Sequence, residues 1–135
     1  MYKKILVPIA LDHERDTAKA LKFAAENVEP GAEIIALNVI EEIPAYVANY
    51  IPEGHAKTLH DEFVAELQKE ITGVPNVTAV VVRGHAGRTI VDYAVEHEVD
   101  CIVIASHRPG LQDYFIGSTA LRVVKHAPCA VHVVR

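Results

Sequence analysis

The residues best placed to do chemistry lie in one segment near the C-terminal end of the chain. Ala105-Ser106-His107-Arg108-Pro109-Gly110 leads on to Gly117-Ser118-Thr119, between the apolar run CIVIA and the helical pattern TALRVVKH. A loop that leaves a buried strand and ends in Gly-Ser-Thr at a helix start aims unpaired N–H groups and hydroxyls outward, an arrangement that suits an anion. The chemistry this favours is binding. Adjacent Ser106 and His107 do not make up the nucleophile, base and orienting acid of a triad. No Gly-Lys-Ser/Thr loop, no Gly-x-Gly-x-x-Gly after the first apolar run and no Gly-x-Ser-x-Gly elbow occurs, which disfavours P-loop hydrolysis, hydride transfer and esterase action. Simpler roles compete residue by residue: a helix cap for Gly117-Ser118-Thr119, a solvated charge for Arg108, a loop contact for His107, and a cap of the first helix for Asp12. Of the eight histidines, His55 and His60 lack the spacing that puts two imidazoles on one helix face. His132 stands in an otherwise apolar strand, so no structural metal site is expected.

These residues need a scaffold, and the apolar pattern describes one. KILVPIA, EIIALNVI, VTAVVV, CIVIA and AVHVV are nearly continuous in apolar character, as parallel strands covered on both faces are. Between them, Ala18, Leu21, Ala25 and Val28 fall on one helical face, and Leu59, Phe63, Leu67 and Ile71 on another. Ile90, Ala94 and His97 begin a third face, and Leu121, Val124 and Lys125 a fourth. Strand and helix alternate, so the expected class is α/β with right-handed crossovers. Pro30-Gly31, Gly73 to Asn76, Gly84 and Pro128 punctuate the connections, and Gly84 and Gly87 suit a tight strand-to-helix turn. Residues Glu41 to Gly54 form a longer joint with two prolines and two tyrosines. This segment reads as a lid, a partner surface, or an ordered loop whose tyrosines pack on the domain.

Composition bounds the partners. A chain of 135 residues fits one domain over 1–135 and can bury a core without disulfides or metals. The net charge of −5, with basic residues scattered, argues against nucleic acid. Cys101 and Cys129 read as small apolar residues rather than a disulfide or metal pair, which suits a reducing cytoplasm. The opening MYKKILVPIA is too short for a signal peptide, holds Pro8 and lacks a cleavage site, so it is taken as the first strand. No apolar run is long enough for a transmembrane helix.

The order of elements and the phrases YKKILVPIA, ALNVIEE, GHAGRTIVDYA and IASHRPG…FIGSTALRVVKHAPCAVHVVR resemble the universal stress protein family over essentially the whole chain. The SHRP loop is most similar to its small ATP-binding branch, which includes bacterial universal stress proteins F and G. The resemblance implies a single open five-stranded parallel sheet of order 3-2-1-4-5 with helices on both faces, Rossmann-like. It also implies a stress-associated regulator that holds ATP, alone or with Mg²⁺, at the point where the strand order reverses; AMP and ADP are alternatives. The ligand then meets two segments, Pro8-Ile9-Ala10 to Asp12 and Ala105 to Arg108 followed by Gly117-Ser118-Thr119. By family position, adenine sits near Ile9, Val39 and Gly84, with the Val39 backbone reading its edge, and the phosphates sit over Ser106, His107 and Arg108 and the Gly117-Ser118-Thr119 turn.

Two departures bear on that expectation. ATP-binding relatives often carry glycine, two residues, glycine, nine residues, then Gly-Ser or Gly-Thr. Here Ala105 and Arg108 stand for the glycines, and eight residues separate Arg108 from Gly117. A missing glycine puts a Cβ near phosphate, while Arg108 brings a planar charged fork that can replace the lost approach. Ala10 stands where many relatives have an aspartate, with Asp12 close by. The family also implies a homodimer through Ala130–Val134, an apolar edge strand that a twofold partner would cover. The partner protein regulated is not identifiable from residues. Competing readings are a dimeric interaction module without nucleotide and, less favoured, a slow ATPase or adenylate-using enzyme, for which no base or water-positioning residue can be named.

Overall fold

The computed structural model describes residues 1–11, 17–106 and 116–135. In chain order the elements are β1 (Tyr2–Pro8), α1 (Thr17–Asn27), β2 (Val28–Ile40), α2 (Ala45–Ala48), α3 (His55–Glu70), β3 (Val77–Arg83), α4 (Ala86–Glu96), β4 (Cys101–Ala105), α5 (Ser118–His126) and β5 (Ala130–Val134). The five strands form one sheet, β3-β2-β1-β4-β5, and every neighbouring pair is parallel.

Side chains alternate across the sheet and feed two cores. Ile5, Val7, Ile34, Ala36, Cys101 and Val103 pack on one face with Leu21 of α1 and Leu67 of α3. Leu6, Ile35, Leu37, Ile102 and Ile104 pack on the other with Ile90 of α4 and Val123 of α5. Burial on both faces explains why these strands read as unbroken apolar runs. At the N-terminal ends of the central strands, the Asp100 carboxylate accepts the N–H groups of Lys3 and Lys4 at 2.9 and 3.0 Å. The Asp100 N–H in turn donates to the Lys4 carbonyl at 3.1 Å.

Several expected details differ. β1 ends at Pro8, leaving Ile9 and Ala10 beyond the strand. Pro30-Gly31 lies inside β2 rather than in a connection: the register slips between the Tyr2–Val28 and Lys4–Glu33 pairs, and Gly31 takes φ 77° to absorb the irregularity. α1 buries Ala20, Leu21 and Ala24, while Ala18 and Ala25 are exposed and Val28 belongs to β2. Alanines spread around a helix carry little directional signal, and small residues at 20 and 24 let α1 approach the sheet. α5 buries Ala120 and Val123 and leaves Leu121 and Val124 at 40% and 46% exposure, with Lys125 also exposed. In the long joint, Tyr46 and Tyr50 are 79% and 86% exposed, so neither tyrosine packs on the domain.

Candidate functional site

The site begins where strand lengths disagree. β1 stops at Pro8, paired with Leu37, while β2 continues to Ile40. One further bond, Ile9 N–H to the Leu37 carbonyl at 2.8 Å, extends the ladder past the strand end. On the far side of β2, Ile34 N–H reaches Asn76 and the Ile40 carbonyl accepts Gly84 N–H. Even-numbered residues of this stretch therefore bond β3, and odd-numbered ones face β1. By that alternation the Val39 N–H and C=O point to the space where β1 has run out. The next rung would join Val39 N–H to the Ile9 carbonyl, but that carbonyl accepts Asn38 Nδ2 at 2.8 Å instead.

A cavity of about 390 Å³ opens at this place, a size suited to a small-molecule ligand. Pro8, Ile9 and Ala10 form one wall; Leu37, Asn38 and Val39 form another. Ile104, Ala105 and Ser106 at the end of β4 and Gly117, Thr119 and Ala120 at the start of α5 close the opposite side. The strand order reverses between β1 and β4, which puts the cavity at the switch point of a doubly wound sheet. A second cavity of about 300 Å³ adjoins it, lined by Glu41, His85, Ser118 and Arg122 among others, and shares Glu41, Ala86 and Thr119 with the first. Glu41 Oε1 accepts the Ala86 N–H at 3.3 Å, so a carboxylate already occupies the first turn of α4.

The N-terminus of α5 is different. Gly117 is its N-cap, with φ −63° and ψ 156°, and among the described residues no side chain, Ser118 and Thr119 included, caps the helix. The first-turn N–H groups border the cavity, and the helix dipole favours an anion there. Asn38 and Ser106 are only 4% and 5% exposed. Their Oδ1 and Oγ atoms are buried without a hydrogen-bond partner, and both residues line the first cavity. Buried polar atoms are nearly always paired, and these two orphans belong to residues on opposite sides of the cavity. Apolar Leu37, Val39, Ile90 and Ile104 supply a surface for a flat ring, and the donors of α5 lie across from it. The residues present thus fit a nucleotide.

The structure brings together Pro8, Ile9, Ala10, Val39, Ala105, Ser106, Gly117 and Thr119 on the first cavity and puts Ser118 on the second. Gly84 lies on neither wall. It is buried at φ 153°, and a Cβ there would run into Thr89 Oγ1, so its role is the turn into α4. Asp12, His107 and Arg108 lie outside the described residues. On the first cavity, Asn38 and Glu41 are the polar wall residues that sequence reasoning missed, beside apolar Leu37, Ala86, Ile90, Ile104 and Ala120; the signal for Asn38 was a lone polar residue within the run EIIALNVI. Among the described residues, shifted pKa values belong to Tyr2, Tyr93, Cys101 and Cys129, none of which lines either cavity. Burial pushes the Cys101 thiol up to about 11. The described walls offer donors, acceptors and apolar surface.

An open parallel sheet of order β3-β2-β1-β4-β5, with helices on both faces and a cavity at the reversal, defines a Rossmann-like α/β domain. The match to known proteins narrows this class: the family model of the universal stress proteins matches residues 1–135, and the chain belongs to that family. It is 32% identical over 143 residues to a universal stress protein of Methanothermobacter thermautotrophicus, covering 100% of this chain and 97% of that one. Among solved structures it is similar to the universal stress protein UspA from Lactobacillus plantarum, with 30% identity, a TM-score of 0.66, and coverage of 99% and 98% of the two chains. A universal stress protein from Archaeoglobus fulgidus in complex with dAMP shares the fold at 22% identity, with a TM-score of 0.64 and coverage of 99% and 98%.

Proposed function

We propose that this protein is a cytoplasmic, stress-associated regulator, a single domain over residues 1–135, that binds an adenine nucleotide at the sheet switch point. ATP is the ligand this reading favours, with AMP and ADP as alternatives. The observation that carries it is the N-terminus of α5 opening on an apolar-walled cavity where the strand order reverses. The base lies against Pro8, Ile9 and Val39, where the Val39 backbone faces past the end of β1. Ala10 and Ala105 border the ligand. Ser106 and the Gly117-Ser118-Thr119 turn meet the phosphates, with His107 and Arg108 completing that end. Mg²⁺ arrives with the triphosphate, since the ion prefers phosphate oxygens and keeps its waters. The dAMP complex of the Archaeoglobus fulgidus relative supports an adenine nucleotide as the class of ligand.

ATP acts as a signal only if it binds two states of the protein unequally, and a homodimer through Ala130–Val134 is the assembly through which such a difference would be read. β5 is an edge of the sheet. Its even-numbered residues bond β4, as Ser106 N–H to the Val134 carbonyl shows, so Val131 and Val133 turn their backbone groups outward.

The test is to measure nucleotide released by heat from the purified protein, then titrate the stripped protein with Mg-ATP by calorimetry. Retained nucleotide, or saturable binding near the micromolar range, about −8 kcal/mol, supports the reading. No ligand and no heat at several temperatures overturns it in favour of an interaction module, to which the exposed Tyr46 and Tyr50 would then belong.

A further inference from the structure

We propose that a second copy of this chain docks on β5 in one register, centred on His132, so that the two His132 imidazoles face each other across the seam and the pair loosens as the pH falls. The proposal rests on the β5 homodimer read above and adds its register and its control.

The register follows from the edge. β4 takes the backbone groups of the even-numbered residues of β5, which leaves Val131 and Val133 to bond outward. In a twofold antiparallel pair, outward residues meet outward residues. Centring on Val131 or on Val133 pairs one of them with its own copy and sends the other past the strand, which covers only Ala130–Val134. Centring on His132 joins Val131 to the partner's Val133 and Val133 to the partner's Val131, and lays the whole strand against its copy. His132 then meets the partner's His132 as a non-hydrogen-bonded pair, with Cα atoms about 4.5 Å apart.

His132 is the only titratable side chain in β5. Val131 and Val133 lie on the α5 face of the sheet, and His132 lies on the α1 face, where it is exposed. Its ring stacks on Phe23 of α1, 3.6 Å between centroids and 11° from parallel, so it cannot swing away from the sheet without losing that contact. Among the described residues, the charged groups around it are Lys19, Lys22 and Glu26, which flank Phe23 on α1, and Arg135 beyond the strand. From β4 it faces Val103, its pairing partner, and the buried Cys101. Lys19 Nζ donates to the Arg135 carbonyl at 3.2 Å, and Glu26, the one carboxylate of this group, lies 4.0 Å from Lys22 Nζ. An imidazolium at position 132 therefore meets cations on α1 and a second imidazolium across the seam. Like charges directly opposite on paired strands are destabilising, and histidine changes charge between pH 5 and 8. The seam is also one hydrogen bond from the cavity, since the Val134 carbonyl accepts the N–H of Ser106 at 3.0 Å.

The experiment measures the dimer dissociation constant by analytical ultracentrifugation at pH 8 and pH 5 for wild type, His132→Gln and His132→Lys. One charge pair about 5 Å apart near water predicts that wild type weakens by about four- to tenfold at the lower pH. His132→Gln should hold nearly constant, and His132→Lys should be weak at both. Equal weakening of wild type and His132→Gln, or a wild type indifferent to pH, overturns the inference and leaves the homodimer standing. The register is read separately in a Cys129→Ala background. There His132→Cys should form a disulfide between copies, because Cα atoms about 4.5 Å apart can be bridged, whereas Val131→Cys, whose copy lies two residues along the strand, should not. No disulfide from His132→Cys, or an equal yield from Val131→Cys, overturns the register. A wild type that is monomeric at pH 8 overturns the homodimer reading and the inference with it.

Discussion

Gly117→Asp separates folding from binding because the structure gives the two effects opposite signs. Gly117 has an ordinary extended conformation, and a Cβ built on it meets nothing within 4 Å among the described residues, so against these the substitution introduces neither strain nor a clash. It also adds a good N-cap to a helix that lacks a side-chain cap. Aspartate at an N-cap exceeds glycine by a few tenths of a kcal/mol, which predicts a melting temperature unchanged or raised by about 1–2 °C. Binding should move the other way. A carboxylate at this position competes for the first-turn N–H groups of α5 and repels the phosphates placed there. At about 5 Å, one charge pair costs about 1 kcal/mol at the dielectric of water and about 3 kcal/mol at an effective value of 20, a loss of roughly 4- to 250-fold in affinity. The assay is calorimetric titration with Mg-ATP beside a thermal melt, repeated at higher salt, where screening should narrow the gap. A folded variant with unchanged ATP affinity would refute the placement of the phosphates, and a melting temperature lower by several degrees would refute the account of the cap.

Ser106→Ala removes a buried hydroxyl that has no partner; stability should hold or rise by up to about 1 kcal/mol, while Mg-ATP affinity falls by about 2- to 10-fold, measured by denaturant unfolding and calorimetry. Val133→Pro withdraws an outward edge N–H without touching the ladder to β4, so light scattering should find a folded monomer where the wild type is a dimer; a variant that remains dimeric would rule out pairing through β5. Burial holds the Cys101 thiol neutral up to about 11, whereas the thiol of the unfolded chain ionises near pH 8.5. The stabilisation from the neutral buried thiol is therefore complete below that value and is lost as pH rises toward 11. Chemical denaturation from pH 8 to 11 should show a decline that is smaller in Cys101→Ala.

Much of the fold was legible because burial on both faces leaves an unmistakable trace. EIIALNVI and CIVIA could hardly serve as anything but central strands, and their alternation with helices fixed the class. The details that escaped are those where residue type says little about direction. Pro30 and Gly31 look like a turn in any window of sequence, and only the pairing with β1 shows that they form an irregularity inside β2. In α5, Leu121 is the largest apolar side chain, yet the sheet takes Ala120 and Val123. A helix of nine residues has too few turns for periodicity to overrule size. At the site, Gly117 and Ser106 could be found as parts of a pattern. Asn38 could not, because its importance lies in a contact with Ile9, 29 positions away in the chain. Glu41 likewise became meaningful only once α4 was seen to begin beside it.

The Asp100 clamp has a consequence for how such a molecule can change over time. It ties β1 to β4 at their N-terminal ends, while the cavity lies at their C-terminal ends. The central register is thus anchored one strand length away from the residues that line the cavity. Substitutions at Ala10, Ala105 or Gly117 can alter what is bound without loosening the pair of strands that carries them. Inheritance of the scaffold and drift of its specificity are thereby assigned to opposite ends of the same sheet.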